Sequence, residues 1–238
     1  MAVAHFQQLP PMGGNNRGLY VYADVFCKYF NKFSDFQHEF EALSFLANVK
    51  GVPTLLKTNP KKMYIAMKRC PIDLFDLVQS GAVDRRQAWK IAGDIARTLQ
   101  ECLALNLCHL DLKPENIGIG PEGEALLLDW GNWDFAHGTG GGRRGTPLYM
   151  APEMFRAEAF SPPAADVFSL GVVLYVMLTG LPLFQEFPCD AKFADVLDRL
   201  AIVDAADDRV LARMLDFNPA TRLTLAEFLR VERLELER

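Results

Sequence analysis

The chain has 238 residues, half of them apolar and 23% charged, with a formal net charge of −5. That composition supports a folded core and excludes a disordered chain, and a negative balance with no basic tail or long Lys/Arg run argues against nonspecific binding to nucleic acid or membrane. Cys27, Cys70, Cys102, Cys108 and Cys189 form no C-x-x-C pair and leave one over, which fits a reduced intracellular compartment with most of them as small core residues.

In chain order, Met1 to Pro11 has neither a basic start nor a continuous apolar stretch, so no signal peptide is expected. Pro10 and Pro11 suit only a frayed edge strand. Gly13-Gly14-Asn15-Asn16-Arg17-Gly18 then leads into Leu19-Tyr20-Val21-Tyr22, which alternates like a strand. Gly13, Asn15 and Gly18 admit two readings: a plain turn, or a loop whose backbone N–H groups approach phosphates. Only Ala23-Asp24 separates this strand from Val25-Phe26-Cys27-Lys28, which implies a very tight hairpin. Ser34-Asp35-Phe36-Gln37 reads as a capping box opening a helix with Phe36, Phe40, Leu43 and Ala47 on one face.

Met63 to Met67 reads as an inner strand and Lys68-Arg69-Cys70-Pro71 as a short connection. Asp84 to Leu105 is an amphipathic helix with Ile91, Ile95, Leu99 and Leu103 on one stripe. The longest apolar run, Leu170 to Leu183, is interrupted at Thr179-Gly180 and Pro182; it is too short to span a bilayer and is expected to be a buried core helix.

Between these helices lies His109-Leu110-Asp111-Leu112-Lys113-Pro114-Glu115-Asn116. Eighteen residues after Asp111 comes Asp129-Trp130-Gly131, directly behind Leu126-Leu127-Leu128. This is a loop carrying an acid, a base and an amide, followed by a buried strand that ends in a second acid. Such a set suits phosphoryl transfer: one carboxylate orients a hydroxyl, while a carboxamide and the other carboxylate hold Mg²⁺ against nucleotide phosphates. A capped turn explains any one of these residues but not the whole set.

These stretches resemble the catalytic and metal-binding loops of eukaryotic protein kinases, in the Lys-Pro-Glu-Asn form typical of Ser/Thr kinases. Gly145-Thr146-Pro147-Leu148-Tyr149-Met150-Ala151-Pro152-Glu153 resembles the family's substrate-docking loop and Ala-Pro-Glu closure. Asp166 stands where an aspartate holds the catalytic-loop backbone, and Arg222 where an arginine pairs with the Ala-Pro-Glu glutamate, here Glu153. Gly138 to Arg143 is Gly-rich but lacks the Gly-Lys-Ser/Thr of a P-loop and is read as part of an activation segment. The resemblance covers nearly the whole chain, is very specific from Cys108 to Arg222 and is loose before Met63.

The resemblance implies an α+β, bilobal fold: a small β-rich lobe over 1–67, a hinge at 68–71 and a larger helical lobe over 72–238. It implies ATP and Mg²⁺ as cofactors and a protein substrate. Asp111 would accept or orient the hydroxyl proton, Lys113 would neutralise the transferring phosphate, Thr146 would bridge toward both, and Asn116 and Asp129 would hold Mg²⁺. Lys28 would pair with a helix glutamate, Glu39 being favoured over Glu41, and position the phosphates; the bland alternative is a solvated strand lysine. Met67 would gate the back of the nucleotide pocket, with Arg69 of the hinge beside it.

Three departures from the family stand out. Leu110 replaces the arginine that usually receives an activation-loop phosphate. Tyr20 and Phe26 fall where a valine and an alanine roof the adenine, and Gly118 falls where a leucine lies below it. Adenine therefore either sits lower or is excluded by Phe26. Asp73 and Glu115 match positions at which basophilic kinases hold an arginine upstream of the target hydroxyl, although Asp73 also suits a helix cap. A pseudokinase acting as a binding module, and a small-molecule kinase of the same fold, are the competing functions; the Ala-Pro-Glu segment argues against the second.

Overall fold

The computed structural model describes residues 7–9, 16–137, 144–156 and 159–237. Gly13 and Asn15, two of the proposed phosphate-loop residues, lie outside them.

Five strands form the smaller layer: β1 (Gln7–Leu9), β2 (Asn16–Tyr22), β3 (Val25–Phe30), β4 (Leu55–Asn59) and β5 (Tyr64–Lys68), in the antiparallel order β1-β2-β3-β5-β4. Strand β1 is an edge, as expected beside Pro10 and Pro11, and β5 is internal. The two-residue turn puts Ala23 at φ +51° and pairs Val21 with Phe26 and Tyr20 with Cys27. Because strand side chains alternate between faces, Leu19, Val21, Phe26 and Lys28 share one face. Tyr20, Tyr29 and Tyr64 pack on the other, with ring centroids 5.3 and 5.2 Å apart.

Helix α1 (Phe33–Phe45) crosses this layer and buries Phe36, Glu39, Ala42 and Leu43. The expected capping box does not form. The helix starts one residue before Ser34, with Lys32 as its N-cap and no side-chain cap, while Ser34 Oγ donates to Asp35 Oδ1 at 3.3 Å. Ala47 falls past the helix end and is exposed; Leu46 fills the stripe instead.

The larger layer begins with β6 (Ile72–Asp73), α2 (Leu74–Gln79) and α3 (Arg85–Ala104). Asp84 caps α3, its Oδ1 accepting from Gln87 N at 2.7 Å. Ile91, Ile95 and Leu99 are buried as the periodicity required, and Cys102 completes their stripe. Short strands follow: β7 (Leu107–Cys108), β8 (Ile117–Ile119), β9 (Ala125–Leu127) and β10 (Asp134–Phe135), pairing as β6-β8-β9 and β10-β7.

Helix α4 (Pro162–Thr179) is long and apolar enough to cross a membrane by length and composition, but 78% of that stretch is buried inside the fold, which makes it the central core helix. It ends at Gly180, whose φ of +69° closes the C-terminus. Helices α5 (Phe193–Leu200), α6 (Ala205–Met214) and α7 (Leu225–Leu236) complete the layer. The capping box of Thr224 and Glu227 forms on α7. Arg85 fastens α7 to α3 and α6 through Glu235 (2.6 Å) and Asp207 (2.7 Å), and Arg97 adds Glu232. The result is α+β: a small strand-rich lobe carrying α1, set on a helical lobe.

Candidate active site

A cleft of about 660 Å³ lies where the two layers meet. Its roof is Leu19, Val21 and Phe26, its back Met67, its outer wall Lys68 to Asp73, and its floor includes Cys70 and Leu128. Two sequence expectations need correction here. Tyr20 is not in the cleft, because the two-residue turn brings Val21 opposite Phe26 and sends the Tyr20 ring to the far face. Gly118 does not line the cleft either, because Cys70 covers it: a β-carbon on Gly118 would meet Cys70 Cβ at 2.8 Å and collide with Sγ. Gly18 also has a local cause, since a side chain there would press on the Tyr20 ring at 2.8 Å. Arg69 lines the wall, but its amide donates to Asp24 O at 2.7 Å and is not available to a nucleobase.

Lys28 projects from β3 into the inner end of the cleft. Its Nζ lies 2.7 Å from Glu39 Oε2 of α1 and 2.7 Å from Asp129 Oδ1. Glu39 is only 1% exposed; burial pushes its carboxyl up to about 7 against the opposing pull of Lys28. Burial also acts on Lys28 and Asp129, yet charge wins in both: the Glu39 and Asp129 carboxylates together raise the Lys28 ammonium, and Lys28 lowers the Asp129 carboxyl. Gly131 leaves room for this triad, since a β-carbon there would stand 3.1 Å from Asp129 Oδ1 and 3.6 Å from Glu39 Oε2.

The catalytic-loop residues are fixed from below. Asp166 on α4, 2% exposed, accepts the amides of His109 and Leu110 at 2.8 Å each. Those bonds hold Leu110 at φ +63°, a conformation costly for a branched side chain. Asp129 is likewise left-handed, at φ +54°. Asp111 Oδ1 accepts from Thr146 N and Thr146 Oγ1, both at 2.8 Å, and Lys113 Nζ donates to Thr146 Oγ1 at 2.9 Å. Gly145 permits this approach, since its φ is +99° and any β-carbon would crowd the Leu110 carbonyl oxygen. Arg222 grips Glu153 through two bonds of 2.6 and 3.0 Å, both residues buried.

Asn116 Nδ2 donates to Asp111 O at 2.9 Å and Oδ2 at 3.2 Å. Lys28 and the Gly131 amide occupy Asp129 Oδ1. Among the described residues, Asn116 Oδ1 and Asp129 Oδ2 accept no hydrogen bond, and the Asp129 side chain is 40% exposed. Two hard oxygens on the cleft surface match an ion that takes few protein ligands and completes its shell with phosphate and water, as Mg²⁺ does. No group of three or more His, Cys, Asp or Glu suited to a metal occurs among the described residues, so a closed protein cage is not the pattern here.

Residues 35–232 match the sequence model of the protein kinase domain. The chain belongs to that family. It is 34% identical over 184 residues to calcium-dependent protein kinase SK5 of Glycine max, covering 71% of this chain and 36% of that protein. Calcium-dependent protein kinase 5 of Oryza sativa subsp. japonica is 30% identical over 213 residues, covering 82% and 38%. CBL-interacting serine/threonine-protein kinase 10 of Arabidopsis thaliana is 29% identical over 183 residues, covering 69% and 36%. This kinase domain thus spans little more than a third of the length of these curated relatives, and its likeness is to serine/threonine kinases.

Sequence reasoning missed several residues of the kinase cleft. Leu19 and Val21 are read from the sequence only as strand residues and Cys70 only as part of the hinge; Asn132, which stands beside the cleft and not on its wall, is given no site role there. Asn132 Nδ2 donates to Asp111 Oδ2 at 3.2 Å. Its one sequence signal is a polar side chain directly after Asp129-Trp130-Gly131.

Proposed function

We propose that this kinase domain transfers the γ-phosphoryl group of Mg-ATP to a serine or threonine hydroxyl of another protein. The observation that carries the proposal is the arrangement of Asp111, Thr146 and Lys113 beside a cleft that also presents Lys28, Asn116 and Asp129. The cleft volume lies in the usual range for small-molecule sites, roughly 300–1,000 Å³, so Phe26 narrows the roof without filling the space. Adenine would rest between Phe26 and the Cys70–Leu128 floor.

Mg²⁺ would be held by Asn116 Oδ1 and Asp129 Oδ2 and would supply charge neutralisation across the phosphates. Lys28, fixed by Glu39, would position the α/β-phosphates. Asp111 would orient the incoming hydroxyl and take its proton as that oxygen bonds to phosphorus, the bond to the ADP oxygen breaking. Lys113 would place positive charge beside the transferring group. Thr146 holds Asp111 and Lys113 in register.

Three finer points belong to the same reading. Leu110 is apolar and 3% exposed, so the catalytic loop offers no cation at that position to a phosphate on the activation segment, and activity should not depend on one. Glu115 lines the cleft and its Oε2 is buried without a hydrogen-bond partner among the described residues, which favours a substrate bringing an arginine. The free thiols of Cys27, Cys70, Cys102 and Cys108 favour a reducing, intracellular compartment.

The test is phosphoryl transfer from labelled Mg-ATP to a generic protein substrate, wild type against Asp111→Asn. Transfer that Asp111→Asn lowers by about a hundredfold or more supports the reading. Absent transfer together with no thermal stabilisation by millimolar Mg-ATP overturns it in favour of a pseudokinase.

A further inference from the structure

We infer that Trp133 is the positioning residue that keeps Glu39 on Lys28, by fastening α1 to the strand leading back to the catalytic loop. The inference rests on the kinase reading above and adds how the ion pair is kept in place without an activation-segment phosphate.

Helix α1 packs Phe36, Ala42 and Leu43 into the core, but that apolar face does not by itself hold the Glu39 turn against Lys28. The helix N-cap makes no side-chain bond, and its functional side chain is a carboxylate removed from water, which favours release rather than burial. Trp133 supplies what is missing. Its indole Nε1 donates to His38 O at 2.8 Å. The indole also lies over the His38 ring, with centroids 5.0 Å apart and planes 16° from parallel. Its edge meets Phe45, the last residue of the helix, at 6.2 Å and 71°. His38 directly precedes Glu39, so Trp133 grips the helix on both sides of the ion-pairing residue.

The far side of Trp133 is anchored too. The Phe135 ring packs against it at 5.1 Å and 82°. Asp134 and Phe135 form β10, which pairs with Cys108 and Leu107 of β7, immediately before His109. A continuous chain of contacts therefore runs from α1 through Trp133 and β10 to the catalytic loop. Trp133 is 4% exposed. Swinging α1 off Lys28 would break the hydrogen bond and both ring contacts together, and would strip Trp133 of its cover.

An indole that merely filled the core would weaken the protein without regard to Glu39. A double-mutant cycle separates the two roles. Relative to wild type, Trp133→Ala should lower kcat/KM for ATP by about tenfold or more, as expected for losing two ring contacts and a hydrogen bond. Trp133→Phe, which retains a ring, should recover part of that loss and serves if the alanine variant does not fold. In a Glu39→Gln background the Trp133 substitution should add less than about twofold, because the pair it positions is already gone. Equal fold-losses in both backgrounds overturn the inference, as does a Trp133→Ala enzyme within twofold of wild type.

Hydrogen exchange gives a readout independent of activity. The α1 amides should exchange about tenfold faster in Trp133→Ala, with those of α3 unchanged; no selective change in α1 overturns the inference. Absence of phosphoryl transfer by wild type, together with no thermal stabilisation by Mg-ATP, defeats the kinase reading and leaves the exchange result decisive for Trp133.

Discussion

Cys70 Sγ stands over the α-carbon of Gly118, in the place a β-carbon would take. The cleft floor is thus supplied from the hinge instead of from β8, and Leu128 Cδ1 closes the other side at 3.3 Å from the same point. The glycine and the cysteine are a matched pair: enlarging one without shrinking the other overpacks the site, at roughly 1–3 kcal/mol. Gly118→Ala should weaken the thermal stabilisation by Mg-ATP, Gly118→Leu should abolish it, and Cys70→Gly added to Gly118→Ala should restore most of it. A Gly118→Ala protein with unchanged nucleotide affinity by calorimetry would show that the floor is not rigid here.

The Glu39 carboxyl, pushed up to about 7 by burial, makes a prediction about pH and stability. Its ordinary value is 4.5, so between the two the folded protein binds more protons at this site than the unfolded chain. Stability contributed here must therefore fall as pH rises from 4.5 to about 7 and level off above it. Melting temperatures of wild type and Glu39→Gln should be close near pH 5, with wild type losing ground to the variant up to pH 7. A gap that moves the other way means that Lys28 outweighs burial in setting the Glu39 proton affinity.

Activity without an activation-segment phosphate is checked by phosphatase treatment of the purified chain. Leu110 makes no charge-assisted bond, so the rate of transfer should remain within about twofold. A loss of tenfold or more would mean that another cation, such as Arg144, receives the phosphate. Arg144 now pairs with Asp134 at 3.3 Å.

The legible part of this site was the part whose chemistry is tied to residue type at short range. Asp111, Lys113, Asn116 and Asp129 sit on adjacent loops whose spacing the reaction dictates, and Asp166, Glu153 and Arg222 follow from the same loops needing support. The partner of Lys28 was legible because few carboxylates precede Met63 at a plausible distance on a helix. The roof and floor of the cleft were harder to read. A one-residue change in hairpin phase exchanges Tyr20 for Val21, and Cys70 reaches Gly118 from a strand connection distant in sequence. The capping box at Ser34 failed because Phe33 is already helical, so the chain had turned before Ser34 could cap it. Nothing in a sequence fixes the reach of Trp133 or Asn132 across to α1 and Asp111.

Glu115 carries the expectation for substrate choice. Its Oε2 is buried and unpartnered among the described residues, whereas Asp73 Oδ1 already accepts from Asp76 N at 2.9 Å as the cap of α2. Glu115 should therefore contribute more than Asp73 to binding an arginine upstream of the acceptor hydroxyl. Glu115→Gln should cost about 1.5–3 kcal/mol in discrimination for such a peptide, the usual worth of a charge-assisted bond, and Asp73→Asn less. A positional peptide array with no preference for arginine two or three residues before the acceptor removes this reading.

Asp111 gives the last prediction. Four donors converge on its carboxylate: Thr146 N and Oγ1 on Oδ1, Asn116 Nδ2 and Asn132 Nδ2 on Oδ2. The two bonds to Oδ1 are shorter, at 2.8 Å, than the two to Oδ2, at 3.2 Å, so Oδ2 is the oxygen more readily yielded to a substrate hydroxyl. Asn132 steadies that oxygen without lining the cleft wall, and it rides on the turn that begins at Asp129. Removing it should disturb the base and leave the nucleotide alone. Asn132→Leu should lower kcat by about ten- to a hundredfold, the worth of one hydrogen bond to a charged group, with KM for ATP within twofold. Because Asp111 can take a proton only if its carboxylate is aimed, Thr146→Ala, which removes the hydroxyl but retains the amide, should cost a similar factor in kcat. A rise in KM for ATP with kcat unchanged would place Asn132 on the nucleotide side of the reaction and remove it from the control of Asp111.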